Sequence, residues 1–482
     1  MQLKVIIRIL GILLMIFSIA MLPPIAVAWY YGDGGGLAFF TGFVVSLLLG
    51  LLLFIPRKNA TGDLRTRDGF LVVILFWSVL SFMGAVPFYL SDIENFGFAD
   101  AIFESFSGLT TTGATVISGL DHLPHSILFY RQQLQWMGGM GIIVLAVAVL
   151  PMLGIGGMQL YRAETPGPVK DAKLTPRIAG TAKALWYIYF GLTVICCLSY
   201  WGAGMSLFDA IGHSFSTIAI GGFSTHDASI GWFESIQIEL ICSFFMLLSG
   251  VNFSLHFVAV RKLSLESYFN DAEFKFYLSI LTIVALISIL VLVIHEHFGF
   301  SEAVVKAIFH TISIGTTTGF ITHDFTLWPI FLPVLLIFVS FVGGCSGSTG
   351  GGMKVIRILL LFKQGAREIQ RLIHPNAIFK IRIGKTSVPE NIVESVWGFF
   401  AIYVALFFLF MLFLMADGHD QVTAFSAVAA CMNNLGPGLG EVSENYSSLS
   451  DLSKWVLSLT MLFGRLEIFT LLVIFTPGFW RS

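Results

Sequence analysis

The stretch DAIFESFSGLTTTG, residues 100–113, decides how the rest of the chain is read. It returns as DAIGHSFSTIAIGG (209–222), KAIFHTISIGTTTG (306–319) and TAFSAVAACMNNLG (423–436). Every copy has alanine at its second place, Ala101, Ala210, Ala307 and Ala424, and closes on glycine, Gly113, Gly222, Gly319 and Gly436. The first and third agree at eight of fourteen places, and the second and third continue into Thr-His-Asp at 225–227 and 322–324. The closing glycines stand 109, 97 and 117 residues apart, the mark of a fourfold internal repeat. Each copy is apolar for only about a dozen residues, whereas crossing the hydrocarbon core takes about 20.

Outward from these copies the chain is suited to a membrane. Of 482 residues 56% are hydrophobic and only 12% charged, with 47 Phe and 48 Gly, against roughly a quarter charged in soluble domains. Ten segments reach or approach spanning length: 5–31, 37–55, 70–90, 128–153, 182–201, 234–260, 275–294, 327–360, 394–415 and 452–476. The first is too long an apolar run for a signal peptide, and Pro23-Pro24 stands where a cleavage site would need small residues. The connections at one end of these segments, with both termini, hold 23 of the 27 Lys and Arg, which predicts a cytoplasmic location for them. Arg131, Lys306, Lys454 and Arg465 break that pattern. A net charge of −2 without a long basic tract excludes nucleic acid as a partner. The five cysteines form no CxxC or Cys/His cluster and read as small buried hydrophobes.

Each short copy lies between two long segments. The predicted fold is therefore an all-α polytopic membrane protein: an N-terminal helical hairpin (1–62), then four units of span, short pore helix, glycine loop and span around one pseudo-fourfold ion pore (63–168, 169–265, 266–386 and 387–482). Irregular backbone at membrane depth is tolerated only where buried in protein or lining a cavity. Around one axis, each pore helix would aim its partially negative C-terminal end inward, and the residues after it, running extended, would present carbonyls to a shared centre. Ringed carbonyls replacing a hydration shell make a cation filter. The ligand set predicted here is Thr111, Thr112, Ile220, Gly221, Thr317, Thr318, Asn434 and Leu435, with Gly113, Gly222, Gly319 and Gly436 supplying backbone angles that only glycine reaches freely. No loop carries the basic residue an anion pore requires. A single such glycine also serves helix packing; four in register favour the pore.

Residues 343–352, GGCSGSTGGG, are six-tenths glycine inside an apolar segment, which predicts a break and a flexible gating loop comprising Gly343, Gly344, Gly347, Gly350, Gly351 and Gly352, with Lys354 at its cytoplasmic end. The run resembles a phosphate-binding loop only superficially, lacking its Gly-Lys-Ser/Thr ending. Arg465, fourteenth of the 25 residues in segment 452–476, is expected near the bilayer centre. A charge there is functional by default: it projects into the pore and opposes leakage, or it pairs with another helix, Glu467 being badly placed two residues away. Glu104, His213 and His310 share one place in three pore helices and read mainly as packing residues. Asp227 and Asp324 read as an acidic outer mouth or as loop caps.

The ordered set TTTGATV (110–116), IGGFSTHD (220–227), TTTGFITHD (316–324) and NNLGPG (433–438), each closing a pore helix between two spans, resembles the Trk/Ktr/HKT superfamily. The N-terminal hairpin and length are most similar to its TrkH-type membrane subunits, over essentially the whole chain. The resemblance implies potassium uptake across the bacterial inner membrane, with rubidium also accepted. It further implies preference for potassium at four filter glycines, an intramembrane gating loop in the third unit, and a pore arginine at Arg465. It implies a homodimer embedded in lipid, a cytosolic nucleotide-binding ring of the TrkA type as controller, and no cofactor beyond the transported ion. The fourth copy departs in carrying Asn433-Asn434 and Pro437 around its glycine. A cation-coupled secondary transporter fits the interrupted eighth segment but expects inverted repeats. An intramembrane enzyme lacks GxSxG, HExxH or paired membrane aspartates.

Overall fold

The computed structural model describes residues 1–62, 64–141, 178–295, 298–329, 331–384, 386–466 and 468–480. Within them the regular structure is helical apart from one antiparallel hairpin with two-residue strands, Arg382–Ile383 with Thr386–Ser387. Among the described residues, six helices are long and apolar enough to cross a membrane: Leu3–Tyr31, Gly36–Arg57, Arg67–Tyr89, Lys183–Gly202, Ala272–Ile294 and Glu390–Ala416. The last four are the first spans of the four units. The second half of segment 128–153, the basic connection 162–177, Glu467 and Arg481 lie outside the described residues.

Between the spans lie the short helices Phe98–Leu109, Leu207–Ala219, Phe300–Gly315 and Gln421–Asn433, the four expected pore helices. Three of the four starts are capped by side chains; the third helix starts after Gly299 without one. Asp100 accepts from the Gly97 N–H (2.8 Å), Ser206 from Asp209 (3.0 Å) and Asp420 from Thr423 (3.2 Å). Their starts reach the surface while their last turns are buried among the other helices, so their C-terminal carbonyl ends lie inside the molecule rather than at its surface.

The second spans differ from the expectation of straight helices. In the first unit His125–Trp136 runs into a π-helical turn at Met137–Gly141. In the second, Ile236–Ser249 and Phe253–Lys262 meet at 97° around Gly250–Asn252. In the third, Leu332–Ser340 and Val355–Ile373 are separated by the predicted glycine break. In the fourth, Asp451–Arg465 and Ile468–Phe475 bend by 114°. Only the third break was legible beforehand. Glycine stands at or beside each: Gly138 and Gly139, Gly250, Gly343 and Gly344, Gly464. The physical reason is close approach. A Cβ at Gly464 would meet the Met432 carbonyl of the neighbouring pore helix, and one at Gly138 the Leu109 carbonyl. The N-terminal segment 5–31 is likewise interrupted, at Ala20–Met21, where Leu22-Pro23-Pro24 starts a new helix.

Candidate functional site

Each pore helix ends in the same way. In the first unit the Thr111 N–H donates to Gly108 O (3.0 Å) and Thr112 N–H to Ser107 O (2.8 Å). The equivalent pairs are Ile220 to Thr217 with Gly221 to Ser216, Thr317 to Ile314 with Thr318 to Ser313, and Asn434 to Cys431 with Leu435 to Ala430. This is the Schellman termination, which needs a left-handed residue just past the helix. Thr111, Ile220, Thr317 and Asn434 adopt it, with φ of 56°, 55°, 71° and 53°. Three of these are β-branched, for which the left-handed region costs about 1–2 kcal/mol each. Strain of this kind persists where the surroundings over-determine the backbone, as at functional sites. The loops therefore do not leave the helices extended, as expected from sequence. They turn through two left-handed residues, the second being Gly113, Gly222, Gly319 and Gly436 at φ 81°, 78°, 86° and 99°.

Those glycines order the loops around one axis. A Cβ on Gly113 would overlap the carbonyl oxygen of Gly221, one on Gly222 that of Thr318, and one on Gly319 that of Leu435. The circuit closes where a Cβ on Gly436 would lie 2.9 Å from the carbonyl oxygen of Thr112. Each of these glycines thus faces the carbonyl just before the next unit's glycine, in the order one, two, three, four, one. The fourth loop joins this circuit despite its different sequence, and Asn434 Nδ2 donates across the seam to Thr112 Oγ1 (2.9 Å). All twelve residues predicted for the filter, 111–113, 220–222, 317–319 and 434–436, belong to the ring. The Gly221 carbonyl also accepts from Gln135 Nε2 at 2.6 Å, leaving it one free lone pair.

On one side of the ring, each outgoing strand is held down from its own pore helix. Buried Glu104 accepts from the Val116 N–H (3.0 Å) and pairs with Arg131 (2.7 Å). Arg131 also donates to the Ser224 carbonyl (3.1 Å), tying the strands of units one and two. His213 meets Ser224 Oγ (2.9 Å), His310 meets the His323 carbonyl (3.0 Å), and in the fourth unit Ser426 accepts from the Leu439 N–H (2.8 Å). The shared place of Glu104, His213 and His310 is thus a bracing position. Two other charges that broke the positive pattern form ion pairs: Lys306 with Glu239 (2.8 Å) and Lys454 with Asp100 (2.7 Å). Asp227 accepts from the Gly119 N–H and Asp324 from Thr326, so both hold loops.

On the other side, loop 343–352 lies against the feet of three units. Thr349 Oγ1 donates to Ile218 O (3.0 Å), Gly351 N–H to Thr317 Oγ1 (2.7 Å), and Gly352 N–H to Asn433 O (3.0 Å). The fit is tight: a Cβ on Gly350 would lie 2.8 Å from the Thr316 carbonyl. Arg465 reaches the remaining unit. Its guanidinium donates to Thr111 Oγ1 (3.1 Å), to the Thr349 carbonyl (3.1 Å), and to the carbonyls of Gly138 and Gly139 (2.6 and 2.9 Å). It does so from the last residue of helix Asp451–Arg465, at the bend midway along the segment. Lys354, expected as the far end of the loop, instead folds back, with buried Nζ on the Gly350 carbonyl.

Sequence reasoning missed Gln132, Gln135, Glu273 and Asn252. The first two were signalled by RQQLQW (131–136), a polar run within a spanning segment. Glu273 reaches from the first span of the third unit to Ser346 and Ile356 in its second, too far along the chain for a local signature, and Asn252 caps its own helix through the Ser254 N–H.

The fold and this ring define a polytopic all-α membrane protein built on four pore units. A family model, TrkH, described as cation transport protein, matches residues 35–481. The chain is 58% identical over 482 residues to the Trk system potassium uptake protein TrkH of Halomonas elongata, and 56% identical over 483 residues to that of Escherichia coli K12, with full coverage of both chains in each case. Its structure superposes on the crystal structure of the potassium transporter TrkH from Vibrio parahaemolyticus with a TM-score of 0.91 at 55% identity, covering all of each chain. The chain belongs to the TrkH family.

Proposed function

We propose that this chain is a potassium-selective, channel-like uptake subunit of the bacterial cytoplasmic membrane. The observation that carries the reading is the closed circuit of four strained loops, each glycine packed on the next loop's carbonyl. In it, carbonyls of Thr111, Thr112, Ile220, Gly221, Thr317, Thr318, Asn434 and Leu435 replace the water of a dehydrated ion, and four pore-helix C-termini add partial negative charge. Potassium as the ion comes from the names of the relatives; rubidium follows as its nearest chemical substitute.

The gate in this reading is loop 343–352 with Lys354 and Arg465, which together engage the feet of all four loops on one side. That side faces the cytoplasm, as do both termini, by the distribution of Lys and Arg. The hairpin 1–62 and the units 63–168, 169–265, 266–386 and 387–482 are its structural divisions. The working form is a homodimer in the lipid bilayer, opened by a cytosolic nucleotide-binding ring of the TrkA type.

The test is flux through purified protein in liposomes under potassium, rubidium, sodium and lithium gradients, with Gly113→Ser alongside. Passive potassium and rubidium flux above sodium, with the margin narrowed by Gly113→Ser, is the expected result. Flux only against a second ion gradient, with the cytosolic ring present, would instead make the protein a coupled transporter.

A further inference from the structure

One carboxylate oxygen holds both the gating loop and the helix that follows it. Glu273 Oε1 accepts the Ser346 N–H at 2.7 Å and the Ile356 N–H at 3.1 Å, ten residues further on. Glu273 is buried, in the first turn of the span Ala272–Ile294, whose own start is capped by Asp271 through the Phe274 N–H (2.7 Å). Its carboxylate is therefore free of its own helix and turned across to the third unit's break.

The helix that follows the loop explains why an acid is wanted there. Val355–Ile373 has Lys354 at its N-cap, with φ 77° and no side-chain cap. Lysine is the wrong charge for a helix N-terminus and offers no acceptor to its free N–H groups. Glu273 supplies both from outside: an acceptor for Ile356, the second residue of the helix, and a negative charge at its positive end. The same oxygen holds Ser346 on the incoming side, next to Cys345, whose N–H donates to the Gly250 carbonyl at the second unit's break (2.8 Å). At the two ends of the loop, Met353 to Phe341 and Val355 to Gly344 are neutral backbone bonds within the third unit's own second span, while Arg465 makes the other charged contact, at the Thr349 carbonyl.

We propose that Glu273 is the positioning residue that latches the gating loop against the filter, so that its two charge-assisted hydrogen bonds set how readily the loop withdraws. The inference rests on reading loop 343–352 as the gate. For the glycine-rich tip to leave Thr317 and Asn433, the base 346–356 must reshape, and both ends of that base are fixed to Glu273. The span Ala272–Ile294 thereby becomes the lever through which a push on its end reaches the loop.

The experiment is radioactive rubidium uptake into liposomes holding the full-length protein without partner, comparing wild type, Glu273→Gln, Glu273→Ala, Glu273→Asp and Arg465→Ala. Gln keeps the shape and loses the charge; Ala loses the acceptor. Replacing a charged acceptor by a neutral one on two hydrogen bonds should raise uptake by about tenfold for Gln, and at least as much for Ala. Asp should restore most of the latch, and the potassium-to-sodium preference should stay at the wild-type value in every Glu273 variant. That pattern supports the latch. If Arg465→Ala raises uptake and Glu273→Gln does not, Glu273 is only a structural contact and the proposal fails. If neither raises uptake, the gate reading itself fails and takes the latch with it. Higher flux with lost ion preference would also overturn it, since the filter would have been disturbed. Should the alanine variant not fold, the near-isosteric glutamine variant decides.

Discussion

Replacing Arg465 by alanine removes donors from Thr111 Oγ1, the Thr349 carbonyl and the carbonyls of Gly138 and Gly139. Two effects follow, and both act toward flow. The first is mechanical. Hydrogen bonds from a charged donor are worth about 1.5–3 kcal/mol each, so losing one such increment from the closed arrangement raises the released population roughly ten- to a hundredfold. The second is electrostatic. Two like charges about 5 Å apart repel by about 3 kcal/mol at an effective dielectric of about 20, so a cation passing that close to the guanidinium that contacts Thr111 would lose about a hundredfold in local occupancy. Arg465→Lys keeps the charge but not the planar fork that reaches several carbonyls together, so it separates the two effects and should fall between wild type and alanine. The assay is initial potassium influx into liposomes, with size-exclusion profiles to confirm folding. Flux of the alanine variant equal to or below wild type, in well-folded protein, would refute the reasoning.

Three further outcomes are expected. Gly222→Ala should abolish potassium flux, because its Cβ would overlap the Thr318 carbonyl at a backbone angle that L side chains rarely adopt, whereas Gly191→Ala, with open space around it, should leave flux within twofold; equal flux in the two variants would count against the packed ring. Glu104→Gln should lower thermal stability sharply, since it strands buried Arg131, and breaking such a pair costs about 3–5 kcal/mol; a melting temperature within a degree or two of wild type would contradict this. His226, outside the spans, contacts Asp121 at 2.5 Å and Asp209 at 3.6 Å and stacks on Trp232; burial pushes its pKa down, but the two carboxylates outweigh it and hold it above 6.5. Its contribution is then complete below about pH 6.5 and fades as pH rises through the higher folded value, so wild type should lose thermal stability between pH 6 and 8 more steeply than His226→Gln, and parallel curves would remove the role.

The fourfold plan was legible because it is written in register: four apolar stretches too short to span, each closed by glycine, cannot all be packing accidents. The glycine loop 343–352 was legible for a related reason, since six glycines in ten residues cannot sustain a helix in an apolar segment. The breaks at Gly250 and Gly464 were not. One glycine costs a helix about 1 kcal/mol, which tertiary contacts readily override, so composition alone cannot distinguish a packed glycine from a bend. The filter backbone was misjudged for the opposite reason. Thr111, Ile220 and Thr317 are residues that disfavour the left-handed region, and only the surrounding ring forces them into it. The bracing contacts of Arg131, Gln135 and Glu273 join residues 27 to 93 positions apart, and no local pattern encodes them.

The measurement that tests the central claim most directly is the position of a heavy cation in the structure. Crystals of the protein grown in rubidium, with diffraction collected at the rubidium edge, should show anomalous density on the axis encircled by Gly113, Gly222, Gly319 and Gly436, with loop carbonyls as its nearest protein atoms. Density at the helix breaks or around Asp227 and Asp324, with the ring empty at saturating rubidium, would contradict it.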